Sequence, residues 1–210
     1  MNGTITRMVE YALLTFGSLF ALVDPFAAIP AFLAMTPGDS VASRRRMAAT
    51  ACLTCALVMA AFAAFGTYIF RLFGITLTAF QIAGGLILLL SALDMVRARR
   101  SPLNETAEET AEGIGKENIA ITPLAIPMLS GPGAITTSIV LAGRAETWSH
   151  TAILYGMIVL VALLTYIILA AAASGARRLS PTALNIITRL MGLLLAAFGV
   201  QFIISAIKQI

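Results

Sequence analysis

Two proline-marked sites inside apolar sequence hold the residue types from which a binding pocket can be built. The first is Asp24-Pro25, followed by Pro30. The second is Ser130-Gly131-Pro132-Gly133, with Pro123 and Pro127 before it and Thr136 and Thr137 after it. A proline inside a helix removes a donor and collides with the carbonyl four residues back, at a cost of about 3 kcal/mol. Asp before Pro is also a helix-start signature, with the carboxylate as N-cap and the proline at the first helical position. Ser130-Gly131-Pro132 carries the same signal with weaker chemistry. Each site therefore predicts a helix that stops and starts again. A restarting helix offers unpaired N–H groups and the positive end of its dipole, which suits an anionic group such as a carboxylate. Thr122, Thr136 and Thr137 add hydroxyls, and Asp24 adds a negative charge for an ammonium group or a proton. The expected substrate-binding set is Asp24, Pro25, Pro30, Thr122, Ser130, Gly131, Pro132, Gly133, Thr136 and Thr137, a site for a small zwitterion. Gln81 and Arg189 are candidates for lining the cavity around it. The plainer readings are Asp24 as a cap alone, and threonines bonded back to carbonyls of their own helices.

The elements that must position these residues follow from composition. Of 210 residues, 59% are apolar and 11% charged, whereas a soluble domain carries roughly 25% charged residues to solvate its surface. Six stretches, about 9–35, 47–70, 75–96, 119–142, 151–173 and 183–207, approach the roughly 20 apolar residues that cross a hydrocarbon core. The expected fold class is an all-α membrane protein of six transmembrane helices. Asp24 lies 13 residues past Tyr11 and Gly131 lies 12 past Ile119, about 18–20 Å along a helix, so helices 1 and 4 are expected to break near the midplane. Arg7 ahead of an apolar stretch imitates a signal peptide, but Asp24-Pro25 interrupts the small-residue cleavage site. The segment is expected to remain as helix 1.

The halves of the chain echo each other. Leu22-Val23-Asp24-Pro25-Phe26-Ala27 aligns with Leu129-Ser130-Gly131-Pro132-Gly133-Ala134 at an offset of 107, and Gln81-Ile82-Ala83-Gly84-Gly85-Leu86 with Arg189-Leu190-Met191-Gly192-Leu193-Leu194 at an offset of 108. A duplicated three-helix unit must insert its second copy upside down, because three is odd. The expected organisation is residues 1–97 and 118–210 as two inverted three-helix repeats, joined by a polar cytoplasmic linker over 98–117. Inverted repeats of this kind characterise secondary transporters, with the site near the midplane. Basic residues orient the bundle. Arg7, Arg71, Arg144 and Lys208 lie toward one side. Arg44, Arg45, Arg46, Arg97, Arg99, Arg100, Lys116, Arg177, Arg178 and Arg189 lie toward the other. Both termini should therefore be outside the cytoplasm.

Several classes of chemistry are excluded. The net charge of +4 is spread over helix ends, so nucleic acid is not an expected partner. Cys52 and Cys55 form a lone Cys-x-x-Cys inside an apolar run and read as core residues. With one histidine and no metalloprotease, nucleophile-elbow or nucleotide-binding motif, neither an enzyme nor a metal or cofactor site is expected. His150, beside Trp148, reads as an interface anchor in a loop. The expected partners are a small-molecule substrate, the lipid bilayer and a coupling proton or sodium ion, with a homo-oligomer left open.

The chain resembles the MarC family of bacterial inner-membrane proteins over nearly its whole length. The resemblance rests on Asp24-Pro25 with Pro30, Gln81-Ile82-Ala83-Gly84-Gly85, Pro123-Leu124-Ala125-Ile126-Pro127 running into Gly131-Pro132-Gly133, Arg189-Leu190-Met191-Gly192 and Val200-Gln201-Phe202-Ile203-Ile204. It implies a six-helix protein of the bacterial inner membrane, in which the charge count places both termini in the periplasm. It also implies a family that includes transporters of small neutral amino acids such as glycine and alanine. The expected function is a secondary transporter, an exporter of such amino acids or similar zwitterions. The alternative is a passive channel or a transporter for another small solute.

Overall fold

The computed structural model describes residues 2–36, 38–97, 120–175 and 181–208, and among these every regular element is helical. In chain order they are α1 (Asn2–Val23), α2 (Pro25–Met35), α3 (Val41–Phe73), α4 (Leu77–Val96), the π-wound α5 (Ala120–Leu129), α6 (Pro132–Gly143), α7 (Trp148–Gly175) and α8 (Pro181–Ile207). The linker expected at 98–117 lies outside the described residues, as do Arg99, Arg100, Lys116, Arg177 and Arg178.

Caps set the boundaries. Ser40 Oγ accepts from the Ser43 N–H at 3.2 Å to start α3, and Thr76 Oγ1 accepts from the Ala79 N–H at 3.1 Å to start α4. Gly74, at φ +65°, closes α3 by donating its N–H to the Arg71 carbonyl. That left-handed turn is the conformation glycine adopts without steric cost. The wide turns of α5 fit its prolines. Pro127 has no N–H to give to a regular helical ladder. The Ser130 N–H accordingly bonds to the Ala125 carbonyl at 2.9 Å.

Four helical stretches are long and apolar enough to cross a membrane: Thr6–Ile29, Val41–Phe73, Leu77–Val96 and Trp148–Gly175. Among the described residues these are four of the six expected spans. The fourth apolar run is divided at Ser130–Gly131 into ten and twelve residues. The sixth is one helix of 27 residues, α8, of which Gly192–Ile207 forms an apolar stretch among the described residues. Large apolar side chains face outward around the bundle, among them Leu53, Leu57, Phe65, Leu163, Ile167 and Leu193. So broad an exposed apolar surface suits a lipid environment rather than water.

Inside, α3 and α7 pack on each other, α1 lies against α7 and α6, and α5 and α6 lie against α3. Phe32, Leu19, Met59, Leu124, Leu129, Leu154, Ile158 and Leu169 form the centre, with Cys52 and Cys55 free and buried among them. The most extensive contact joins α4 to α8. A Cβ at Gly85 would stand 2.6 Å from the Gly199 carbonyl oxygen, and one at Gly199 would stand 2.7 Å from the Gly85 oxygen. Gly192 is similarly tight, 2.9 Å from Met95 Cβ and 3.1 Å from the Ala92 oxygen. Small residues let backbones approach in this way where lipid supplies no hydrophobic drive between helices.

The arginine cluster does more than face one side. Arg44 donates from Nε and Nη2 to the Thr36 carbonyl at 3.1 and 2.7 Å, tying the end of α2 to the first turn of α3. Arg45 Nη2 donates to Ser174 Oγ at 3.0 Å, tying α3 to the last turn of α7. At the other end, the Tyr11 hydroxyl donates to the Leu141 carbonyl at 2.9 Å, and the His150 ring lies 4.7 Å from the Tyr11 ring. His150 thus sits in the first turn of α7 rather than in a loop, while Trp148 is exposed beside it.

Candidate functional site

Both expected breaks are present. Val23 ends α1 and Pro25 begins α2; Leu129 ends α5 and Pro132 begins α6. The first is a kink at one residue, since the Asp24 N–H still bonds to the Phe20 carbonyl and the Ala28 N–H to the Asp24 carbonyl. Asp24 adopts φ +43°, ψ +66°, and among the described residues it is the one non-glycine at positive φ. For an L-residue this costs roughly 1–2 kcal/mol, least for Asn and Asp. The carboxylate is buried and its two oxygens differ. Oδ1 accepts from the Ala27 N–H at 3.2 Å, as an N-cap does, while Oδ2 has no hydrogen-bond partner. Asp24 is a cap with one oxygen to spare.

The second break inverts these choices. Gly131 has extended backbone, φ −68° and ψ 170°, and gives α6 no side-chain cap. Ser130 does not cap either, because its hydroxyl donates back to the Ala125 carbonyl at 2.7 Å. Pro132 has no N–H, so the first-turn donors of α6 are Gly133 and Ala134.

Register brings the two breaks to a similar depth. The bond from Tyr11 to Leu141 aligns α1 with an antiparallel α6. Asp24 lies 13 residues beyond Tyr11 and Gly131 ten before Leu141, about 20 and 15 Å along the axis at 1.5 Å per residue. The breaks therefore differ in depth by about one helical turn. The two restarting helices, α2 and α6, therefore run away from that level in opposite directions.

The remaining expected residues divide. Gly133 is buried against Leu88 of α4, whose Cδ2 would lie 2.5 Å from an added Cβ. Thr136 is buried against Gly84 and donates its hydroxyl to the Pro132 carbonyl at 2.6 Å. Thr137 is equally buried, yet its hydroxyl has no partner, and Gln81 is buried with its Oε1 unpartnered. Pro30 and Thr122 fall in α2 and α5, with side chains outside the described residues. Gln81 is buried, whereas Arg189 is exposed on α8. Its neighbours Ile186, Leu190 and Leu193 share that outward surface. Among the described residues no three His, Cys, Asp or Glu side chains gather as a metal site would require.

Sequence patterning leaves three features unmarked. Nothing in Asp24-Pro25 specifies the left-handed backbone, although Asp is one of the few residues that tolerate it. Pro123 and Pro127 signal a disturbed helix but not its π winding. Adjacent threonines look alike until the helix has been placed between its neighbours.

Long apolar helices, an apolar exterior and two interrupted helices inside the bundle define a multi-pass helical membrane protein. Residues 9–210 match the model of the MarC family, described as integral membrane proteins, and the chain belongs to that family. It is 37% identical to the UPF0056 membrane protein MJ1677 of Methanocaldococcus jannaschii, over 95% of this chain and 97% of that one. It is also 37% identical to the UPF0056 membrane protein YhcE of Escherichia coli, over 93% and 91% of the two chains. With the UPF0056 membrane protein YvbG of Bacillus subtilis, identity is 35% over 96% of each. No solved structure matches.

Proposed function

We propose that the protein is a secondary transporter, an exporter of small neutral amino acids such as glycine and alanine or of similar small zwitterions, in the inner membrane of a bacterial cell. The observation that carries this reading is the pair of helix starts at nearly one depth, one with a spare carboxylate oxygen and the other without a side-chain cap. A helix N-terminus carries about half a positive charge. At α6, the Gly133 and Ala134 N–H groups receive the solute carboxylate; Asp24 Oδ2 receives its ammonium group. The chemistry is binding and release, with no bond made or broken. Asp24 is also the residue able to exchange a coupling proton or hold a sodium ion.

The packing supports two inverted repeats of three spans each, with both termini periplasmic. Exchange α1 with α5, α2 with α6, α3 with α7 and α4 with α8. Then α1 on α7 becomes α5 on α3, α2 on α8 becomes α6 on α4, and α1 on α6 becomes α5 on α2, all pairs that touch. The glycine seam obeys the same exchange. Gly85 meets Gly199, and Gly192 meets Ala92; Gly85 and Gly192 are 107 positions apart, as are Ala92 and Gly199. That spacing also relates Asp24 to Gly131, and it differs by one residue from the 108 suggested for this helix pair by sequence alone. Rocking of one repeat against the other then exposes the breaks alternately to the two sides.

The deciding experiment is uptake and efflux of labelled glycine and alanine in proteoliposomes, with and without pH and sodium gradients. Gradient-driven accumulation is expected. Equilibration without accumulation would favour a channel, and silence across a panel of small solutes in folded protein would reject transport.

A further inference from the structure

One turn and a half outward of the α6 break, two buried side-chain oxygens remain without partners, Thr137 Oγ1 and Gln81 Oε1, each on a side chain 4% exposed. The packing of α4 and α6 puts them on the same side of one helix contact. Gly133 meets Leu88 and Thr136 meets Gly84, so the two helices run antiparallel. Gln81, one turn before Gly84, is then level with residues 137–140. On α6, Ile139 faces Gly66 of α3, and the Leu141 carbonyl takes the Tyr11 hydroxyl of α1. At 100° per residue, Thr137 points between α4 and α1, away from α3. On α4, Phe80 packs its ring on Phe70 of α3, and Gly85 meets Gly199 of α8. Gln81 therefore points between α6 and α8, again away from α3. The two oxygens therefore lie on the same side of the α4–α6 contact, in the space bounded by α1 and α8, which also touch. Thr15 of α1, one turn past Tyr11, brings another buried hydroxyl to this depth.

An unpaired buried polar atom costs the fold its full desolvation penalty, and the penalty is harsher where lipid replaces water. Thr136, Ser138 and Thr165 avoid it by donating to carbonyls one turn back in their own helices. Thr137 does not, and neither Gln81 Oε1 nor Thr137 Oγ1 lies at a helix start, where capping would explain it. Two unpaired oxygens on one side of this contact suit a ligand rich in donors.

We propose that α1, α4, α6 and α8 part here to open the outward arm of the solute's path, and that Gln81 Oε1 and Thr137 Oγ1 form a station accepting hydrogen bonds from the solute's ammonium group on its way between the helix breaks and the outer surface. The station rests on the transport reading for its solute; the arm itself does not.

Two measurements test it in a Cys52→Ala, Cys55→Ala background. In the first, Thr137→Cys protein in oriented vesicles meets a membrane-impermeant thiol reagent from the outer side. Irreversible labelling, slowed by excess glycine, is expected, with Leu163→Cys on the lipid-facing surface of α7 as the unlabelled control. No labelling of folded Thr137→Cys protein would overturn the arm. In the second, Gln81→Met and Thr137→Val, close in shape to the originals, are assayed for glycine transport and thermal unfolding. Each should raise KM about tenfold or more, the effect of losing one hydrogen bond to a charged group. Neither should lower Tm, because each removes an unpaired buried atom. An unchanged KM would overturn the station, and so would a Tm lowered by several degrees, which would mark these side chains as structural. If Thr137→Cys is labelled while the parent protein carries no small zwitterion, the ammonium role falls together with the proposed substrate, and the water-filled arm stands.

Discussion

At Asp24 the chain turns through a left-handed residue and caps the next helix with a carboxylate; at Gly131 it turns through extended backbone and leaves the next helix uncapped. The two positions are 107 residues apart and each precedes a proline that opens a helix. One arrangement spends a negative charge at the helix start, and the other leaves N–H groups for whatever arrives. A pair of identical caps would present one sign of charge to a solute. This pair presents a carboxylate oxygen and a positive helix end, the complement of a molecule that is itself a dipole.

The largest effect is expected from closing the uncapped side. Gly133→Val would drive its Cβ against Leu88, which is itself buried, and force α6 away from α4 at a cost of about 1–3 kcal/mol. Transport should vanish in protein that still inserts, as measured by glycine flux and size-exclusion profile. Removing the charged side comes next. Asp24→Leu loses the cap, worth about 1 kcal/mol, and places a branched side chain in left-handed backbone. Tm should fall and flux should drop by about a hundredfold, the scale set by a charge-assisted contact. The comparison is sharpened by giving the bare helix a cap. Gly131→Ser is compatible with extended backbone and should leave Tm unchanged or slightly raised. It should raise KM for glycine several-fold, because the hydroxyl occupies an N–H group that the solute carboxylate needs. Asp24→Asn should be milder, since Asn both caps helices and tolerates positive φ. Exchange of glycine should persist; if the free oxygen carries the coupling ion, accumulation against a gradient should be lost. The smallest change is expected from Cys52→Ala with Cys55→Ala, both buried in the α3 core. Flux should be nearly unaltered, and a large loss would assign those thiols a role in transport.

How much of this was legible beforehand follows from the range of each signal. Asp-Pro and Gly-Pro act within one turn, so both breaks and the starts of α2 and α6 could be read directly from the chain. Span count was less secure. Apolar length does not reveal that α5 and α6 divide one run. Arg189 aligns with Gln81 in the repeat, but one lies on an exposed surface and the other is buried. That difference belongs to helix rotation, which no local pattern fixes in a helix apolar on most sides. Thr136 and Thr137 illustrate the same point at closer range. Only the approach of Gly84 to one side of α6 decides which hydroxyl is spent on its own helix and which is left open.

The glycine seam between α4 and α8 has a consequence for how the protein is made. The Gly85 backbone finds its neighbour at Gly199, more than a hundred residues later, so α4 enters the bilayer long before the surface that completes it exists. At about 5–20 residues per second, the gap in synthesis is on the order of 10 s. Through that interval an unfilled notch faces lipid or the insertion machinery. Biogenesis of this chain therefore includes a late docking event, and a lesion in α8 should be felt first as failed assembly of the membrane segments already inserted.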